Sequence, residues 1–89
     1  MSNARRPADL PFAEIIAAAE TGTLEMMAAA YSCCASAVRG ALTGQAETLW
    51  MNRRDRVSAA IHARGFIIRR SFTGTYMVGR PADFESLTG

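Results

Sequence analysis

The sequence predicts an α+β fold in which three to four helices are followed by a C-terminal β-hairpin. Up to Gly65, apolar residues recur three and four positions apart, which is the spacing of a helix. From Phe66 onwards they form two short runs rich in β-branched and aromatic residues, with turn-forming residues between them. With 89 residues, 49 % of them hydrophobic and 20 % charged, the chain suits one small globular domain.

The first predicted helix covers residues 11–20 and follows a flexible lead, residues 1–10. Pro11 suits the first turn of a helix, because the N–H that proline lacks would have no partner there. Glu14 follows at the positive end of the helix dipole. Gly22 ends the helix, since glycine readily adopts the left-handed conformation of a C-cap.

A second helical segment begins at Thr23, whose hydroxyl suits an N-cap. Apolar and small residues then continue to Leu42. Two interpretations fit this stretch, namely one long helix or two short helices with a turn at residues 32–34.

Helix-forming residues resume at Gln45 and continue to Met51. Asn52, with an aspartate three residues later, resembles an N-cap with part of a capping box. This pattern predicts that a new helix starts at Arg53. Gly65 ends that helix.

The β-hairpin is predicted from two β-rich runs, residues 66–68 and 75–78, joined by the turn-forming residues 71–74. With the helices it completes a domain that covers residues 11–80. Residues 81–89 are expected to be a C-terminal tail.

Positive charge is concentrated in one segment of the chain. The protein has a net charge of +2, and it contains ten arginines and no lysine. Residues 53–80 hold seven of these arginines and a single aspartate. Such asymmetry favours an anionic partner, with nucleic acid as the first candidate. The alternative is internal pairing, in which the arginines form ion pairs with the acidic N-terminal helices.

Residues 56–70, followed by residues 74–78, resemble the recognition helix and wing of winged helix-turn-helix proteins. A helix ends in glycine, a strand with arginines leads to a polar tip, and an aromatic and aliphatic strand returns. The resemblance covers residues 11–80. It implies a DNA-binding domain in which the helix over 53–64 and the hairpin face the DNA.

A plain helix-turn-helix competes with this alignment. Residues 23–42 resemble one, with Ser32 at the position where that family usually has a turn glycine. In this register the exposed face of the second helix offers Ser36, Arg39 and Thr43 to DNA. The arginine-rich segment favours the winged alignment, because phosphate neutralisation dominates DNA binding. Arg39 then joins the same surface from the preceding helices.

The candidate DNA contacts are arginines, because a guanidinium fork binds phosphate oxygens and guanine edges in pairs. Arg69 and Arg70 are neighbours on one strand, so only one of them can lie on a given contact surface. Phe72 and Tyr76 are candidates for stacking on bases, although packing against the helices is commoner for such residues. The full set of candidate DNA contacts is Arg39, Arg53, Arg54, Arg56, Arg69 and Arg70.

The sequence also argues against an enzyme, a cofactor and a metal site. His62 has no carboxylate or cysteine at catalytic spacing. One His and two Cys are too few for a closed four-ligand zinc site. Cys33 and Cys34 are expected to be buried, reduced thiols, which points to the cytoplasm. The apolar residues 26–38 are too few to span a membrane, so no membrane association is expected.

These observations predict a small cytoplasmic DNA-binding transcription regulator that acts by stoichiometric occupancy, and its size suggests a phage or mobile-element origin. A homodimer would add buried area to a thin core and read two half-sites of double-stranded DNA about one helical turn apart. The alternative is a protein-interaction module or small inhibitor that docks its basic helix and hairpin on an acidic partner protein. Pairing of the arginines with Glu14, Glu20 or Glu25 would favour that alternative.

Overall fold

The computed structural model describes residues 11–88, and the side chains of residues 11–85. The lead expected at residues 1–10 lies outside the described residues. The elements follow in the order α1 (Phe12–Thr21), α2 (Leu24–Arg39), α3 (Gly44–Ala63), β1 (Ile67–Arg70), β2 (Tyr76–Gly79) and α4 (Pro81–Thr88). The predicted α+β class, with several helices followed by a two-stranded antiparallel hairpin, is confirmed. This layout is compatible with a winged-helix-like arrangement.

Threonine hydroxyls begin the two long helices. The Thr23 hydroxyl accepts a hydrogen bond from the Met26 backbone N–H at 3.2 Å, which confirms the predicted N-cap of α2. Thr43 does the same for α3, where the N–H of Ala46 lies 3.0 Å from its hydroxyl oxygen. Each bond satisfies a backbone donor that the first helical turn leaves unpaired.

Helix α2 is continuous from Leu24 to Arg39, so the alternative of two short helices with a turn at residues 32–34 is wrong. The plain helix-turn-helix register fails with it, because its turn would fall inside α2. Cys33 and Cys34 are buried there as part of the hydrophobic core. Burial of these small side chains favours an uninterrupted helix, and no glycine or proline is present to break it.

Helix α3 is also continuous, and the break predicted between Asn52 and Arg53 is wrong. Trp50, Val57 and Ile61 recur at helical spacing and pack in or against the core. One inward face therefore runs through the predicted break. The Asn52 side chain is exposed and makes no capping bond among the residues that the structure describes.

The hairpin forms as predicted, with Ile68 opposite Val78 and Arg70 opposite Tyr76. Its loop closes with two backbone hydrogen bonds, from Ser71 N–H to the Thr75 carbonyl at 2.8 Å and from Gly74 N–H to the Ser71 carbonyl at 2.9 Å. Gly74 has φ +90°, a conformation that side chains disfavour. The loop is thus a turn followed by a glycine bulge, a common three-residue hairpin connection.

The segment expected as a C-terminal tail instead contains α4. Pro81 opens this helix, and the Asp83 carboxylate accepts a hydrogen bond from the Arg80 backbone N–H at 3.0 Å. Both are signals of a helix start. The Phe84 ring packs close to Gly79, where an added Cβ would lie 3.3 Å from it. Helix α4 therefore folds back onto the end of β2.

The core lies around α2, which packs against α1, α3 and β2. Met27, Cys34, Val57 and Ile61 are its largest fully buried side chains, and Val78 joins it from the hairpin. Within the described residues no polar or charged residue is buried. No helix in this part of the chain is both long and apolar enough to cross a membrane.

Candidate nucleic-acid interface

Two of the predicted contact residues stack on aromatic rings where α1 meets α3. The Arg53 guanidinium carbon lies 4.7 Å from the centre of the Trp50 ring and 5.0 Å from that of Phe12. The Arg56 guanidinium carbon also lies 5.0 Å from the Phe12 ring centre. We call Phe12, Trp50, Arg53 and Arg56 the arginine–aromatic cluster. The sequence did not reveal it, because Phe12 lies far from the arginines along the chain.

Stacking restrains these two arginines and leaves their donors available. A cation–π contact engages the charge of a guanidinium but offers no carbonyl or carboxylate acceptor to its N–H groups. Neither Arg53 nor Arg56 binds a carboxylate among the described residues. The cluster therefore presents two oriented sets of hydrogen-bond donors suited to phosphate oxygens.

Arg54 lies beside the cluster, half-buried, with its Nε 3.8 Å from an Asp55 carboxylate oxygen. That distance is an ion pair without hydrogen-bond geometry, and Asp55 is largely exposed to solvent. No ion pair joins Arg53, Arg54 or Arg56 to Glu14, Glu20 or Glu25 within residues 11–85. The internal pairing considered from the sequence is thus not found there.

The hairpin arginines lie on opposite faces of β1, as the strand alternation requires. Arg69 lies over the Phe84 ring of α4, and Arg70 over the Tyr76 ring of β2, each with its guanidinium carbon 5.9 Å from the ring centre. Both arginines are exposed. Arg39 is exposed at the end of α2, and the structure shows no side-chain contact that joins it to the other candidates.

One arginine of the basic segment has a structural role instead. The Arg64 guanidinium donates hydrogen bonds to the backbone carbonyls of Ala19 and Gly22, both at 3.0 Å, and its Nη1 lies 3.0 Å from the Met27 sulfur. It ties the end of α3 to the turn between α1 and α2. The positive charge of residues 53–80 is therefore not all available to a binding partner, because Arg64 is used within the fold.

A polar stripe on the outer face of α3 was missed from the sequence. Gln45, Thr48, Asn52 and Arg56 are three or four residues apart, so they share one helical face, and all four are exposed. Their amide, hydroxyl and guanidinium groups are those that read base edges in the major groove. The spacing was visible in the sequence, but the break predicted at Asn52 separated the first half of the stripe from the second.

The structure also describes the histidine and the two cysteines, which were the remaining candidates for catalysis or metal binding. His62 is exposed, with its Nδ1 3.4 Å from the Ser58 hydroxyl. Burial raises the pKa of Cys33. Burial and, to a smaller extent, the charge of Cys33 together raise the pKa of Cys34 to about 11, against the opposing effect of Arg53 and Arg54. Such thiols are poor nucleophiles at neutral pH. The described residues contain no group of three or more His, Cys, Asp or Glu that could hold a metal ion.

Comparison of the chain with models of protein families, with curated protein sequences and with solved structures finds no match.

Proposed function

We propose that this chain is a sequence-specific binder of double-stranded DNA that regulates transcription in the cytoplasm by stoichiometric occupancy. One observation carries the proposal. The exposed or ring-stacked guanidinium groups of the candidate set contact no carboxylate within residues 11–85, apart from the loose pair of Arg54 with Asp55. Their positive charge is therefore uncompensated by close partners, as binding to a polyanion requires.

The proposed contacts divide by chemistry. Arg53 and one of the two hairpin arginines bind phosphates, which sets the position of the protein on the duplex. The stripe of Gln45, Thr48, Asn52 and Arg56 enters the major groove and reads base edges. The layout of α3 followed by the hairpin supports this division, because it is compatible with the winged-helix arrangement that the sequence resembles. A homodimer would place two copies of α3 on neighbouring half-sites.

Fluorescence anisotropy with labelled duplex DNA across a salt series tests the phosphate contacts. We expect micromolar or tighter binding that weakens steeply with salt, and loss of that binding in the double variant Arg53→Glu, Arg54→Glu. Arg53→Gln should reduce the slope of log affinity against log salt by about 0.9, the value for one phosphate contact. Ala17→Glu is the control for Arg53→Gln, since each lowers the net charge by one and Ala17 lies at an exposed position of α1.

Selection of bound sequences from a random duplex library tests the base contacts. Asn52→Ala should remove the preference at one position of the selected site, a loss of about 1–3 kcal/mol in discrimination. Met51→Ala removes a neighbouring exposed side chain outside the stripe and should leave the preference unchanged. Retention of the full site preference in Asn52→Ala would exclude this residue from base reading.

A second candidate function is docking of the basic helix and hairpin on an acidic protein. Two fully exposed apolar side chains, Leu42 and Phe72, favour it, because such residues are common at protein interfaces. Titration with poly-glutamate separates the two candidates. Absence of duplex binding at low salt, with poly-glutamate binding that is lost in the Arg53→Glu, Arg54→Glu variant, would replace the first proposal by the second.

A further inference from the structure

The tip of the hairpin carries an aromatic side chain that nothing covers. Phe72 has 103 % of its reference area exposed. The other six aromatic residues all lie within residues 11–85 and are half-buried. Tyr76, on the same hairpin, packs edge-on against Tyr31 with the ring centres 5.0 Å apart. Removal of a phenyl group from water is favourable, so a partner that takes up this side chain gains binding free energy.

The loop holds Phe72 in a defined place. Besides the two backbone bonds of the turn, the Ser71 and Thr73 hydroxyl oxygens lie 2.7 Å apart, and the Thr75 N–H donates to the Ser71 hydroxyl at 3.2 Å. These bonds restrain the residues on both sides of the phenyl group. Insertion of a restrained side chain loses less conformational entropy than insertion of a mobile one.

The charge around the tip indicates the class of partner. Arg69 and Arg70 precede the loop, and neither binds a carboxylate within the part of the chain that the structure describes. Residues 71–75 contain no acidic side chain. An apolar wedge flanked by guanidinium groups matches a duplex, in which a base step accepts the wedge and the adjacent phosphates accept the cations. A single phenyl group gives little anchorage in a lipid surface.

We propose that Phe72 inserts between adjacent base pairs of bound DNA, unstacks that step and bends the duplex, while Arg70, the hairpin arginine nearer the loop, binds a flanking phosphate. This inference rests on the proposed DNA-binding function. It adds to it a deformation of the DNA, and hence a preference for steps that unstack easily, such as TA.

The experiment uses a duplex with a TA step, 2-aminopurine beside that step and a donor–acceptor dye pair at its ends. On binding of the wild-type protein we expect brighter 2-aminopurine, which reports unstacking, and more energy transfer, which reports bending. Phe72→Ala should abolish both changes and weaken binding about tenfold, within the range for loss of one aromatic stack on a base. Its salt dependence should stay unchanged, because no charge is removed.

Two further variants serve as controls. Phe72→Trp keeps an aromatic wedge and should retain unstacking and bending. Leu42→Ala removes another fully exposed apolar side chain, 97 % exposed in the loop between α2 and α3, and should behave as wild type. The hairpin of each variant is checked by its thermal transition.

The outcomes separate this inference from the function on which it rests. If the wild-type protein does not bind duplex DNA at low salt, the proposed function fails and the wedge fails with it. If Phe72→Ala binds, unstacks and bends DNA as wild type does, the wedge alone is overturned. It is also overturned if sedimentation shows that Phe72→Ala turns a dimer into a monomer without affecting unstacking. Wild-type binding to anionic vesicles but not to the duplex would overturn it in favour of a lipid surface.

Discussion

Replacement of Arg64 by alanine should destabilise the protein more than replacement of any other exposed arginine. Its guanidinium makes two charge-assisted hydrogen bonds to backbone carbonyls and lies over the Phe66 ring at 5.6 Å. Hydrogen bonds to charged groups contribute about 1.5–3 kcal/mol each, and partial exposure of this side chain reduces that to about 1 kcal/mol. With about 0.5 kcal/mol from the ring contact, the expected loss is about 2.5 kcal/mol.

This loss is a large part of the total stability. A domain of this size has about 4–13 kcal/mol, so Arg64→Ala should lower the melting temperature by about 10–20 °C. Circular dichroism during heating measures the change. Arg64→Lys should fall between wild type and Arg64→Ala, because lysine keeps the charge but not the fork that reaches both carbonyls.

The control is Arg39→Ala, since Arg39 is exposed and the described residues offer it no bonded partner. It loses only the favourable interaction with the C-terminal end of α2, about 0.5 kcal/mol. Equal melting temperatures for Arg64→Ala and Arg39→Ala would refute the reasoning. The hydrogen bonds from Arg64 to the turn between α1 and α2 would then make no net contribution to stability.

Three further predictions concern a glycine, a thiol and a carboxylate. Gly22→Ala should lower the free energy of unfolding in urea by about 2 kcal/mol, because the new Cβ would lie 2.5 Å from the Ala18 carbonyl oxygen. In the control Gly40→Ala the new Cβ would lie 3.5 Å from its nearest atom, so the free energy of unfolding should hardly change. Equal losses in the two variants would contradict the structure. The raised pKa of Cys34, about 11 in the folded state, predicts stability that is fully present below pH 9 and lost between pH 9 and 11. Urea midpoints across that range should decline, and the decline should be smaller in Cys34→Ala, in which only the raised pKa of Cys33 remains. Within residues 11–85, Asp55 provides the only carboxylate that pairs with an α3 arginine, so Asp55→Asn should tighten duplex binding about threefold in anisotropy titrations. Unchanged or weaker binding would count against a DNA-facing α3.

The hairpin, the N-cap of α2 and the end of α3 were predictable because their signals are local. The left-handed C-cap expected at Gly22 is wrong, since this glycine has φ −81° and ψ 179°. Thr23 caps α2 as predicted, and Gly65 and Gly74 adopt the positive φ that turns after a helix and in a hairpin require. Each of these residues determines the conformation of its own few neighbours. The tertiary contacts agree with these local preferences and leave them unchanged.

The continuity of α3 was not predictable from Asn52 alone. Asparagine favours caps, but that preference amounts to about 1 kcal/mol, and burial of the face that carries Val57 and Ile61 contributes more. Arg53 lies on the inward side of α3, where its guanidinium stacks on Phe12. Hydrophobic periodicity counts only apolar residues, so it does not show that an arginine belongs to the inward face. The predicted break therefore came from a local preference that packing overrides.

The residues of the candidate interface were predictable from the sequence, but the contacts between them were not. The sequence identified the arginines, but it could not assign Arg64 to backbone carbonyls 42 and 45 residues away. Nor could it show that Phe12 joins Arg53 to Arg56. Helix α4 was a different omission, because Pro81 and Asp83 are the same kind of start signal that predicted α1.

The hydrogen bonds of Arg64 also affect how the chain folds during synthesis. The ribosome delivers α1 and α2 first, yet the carbonyls of Ala19 and Gly22 receive their guanidinium only after a further 45 and 42 residues have been added. Val57 and Ile61, which complete the core around Met27, emerge equally late. A nascent chain that stops before Arg64 therefore contains the residues of α1, α2 and α3 but lacks the guanidinium that joins the end of α3 to the turn between α1 and α2. A chain truncated before Arg64 should therefore be less stable than the whole domain and more readily cleaved by proteases.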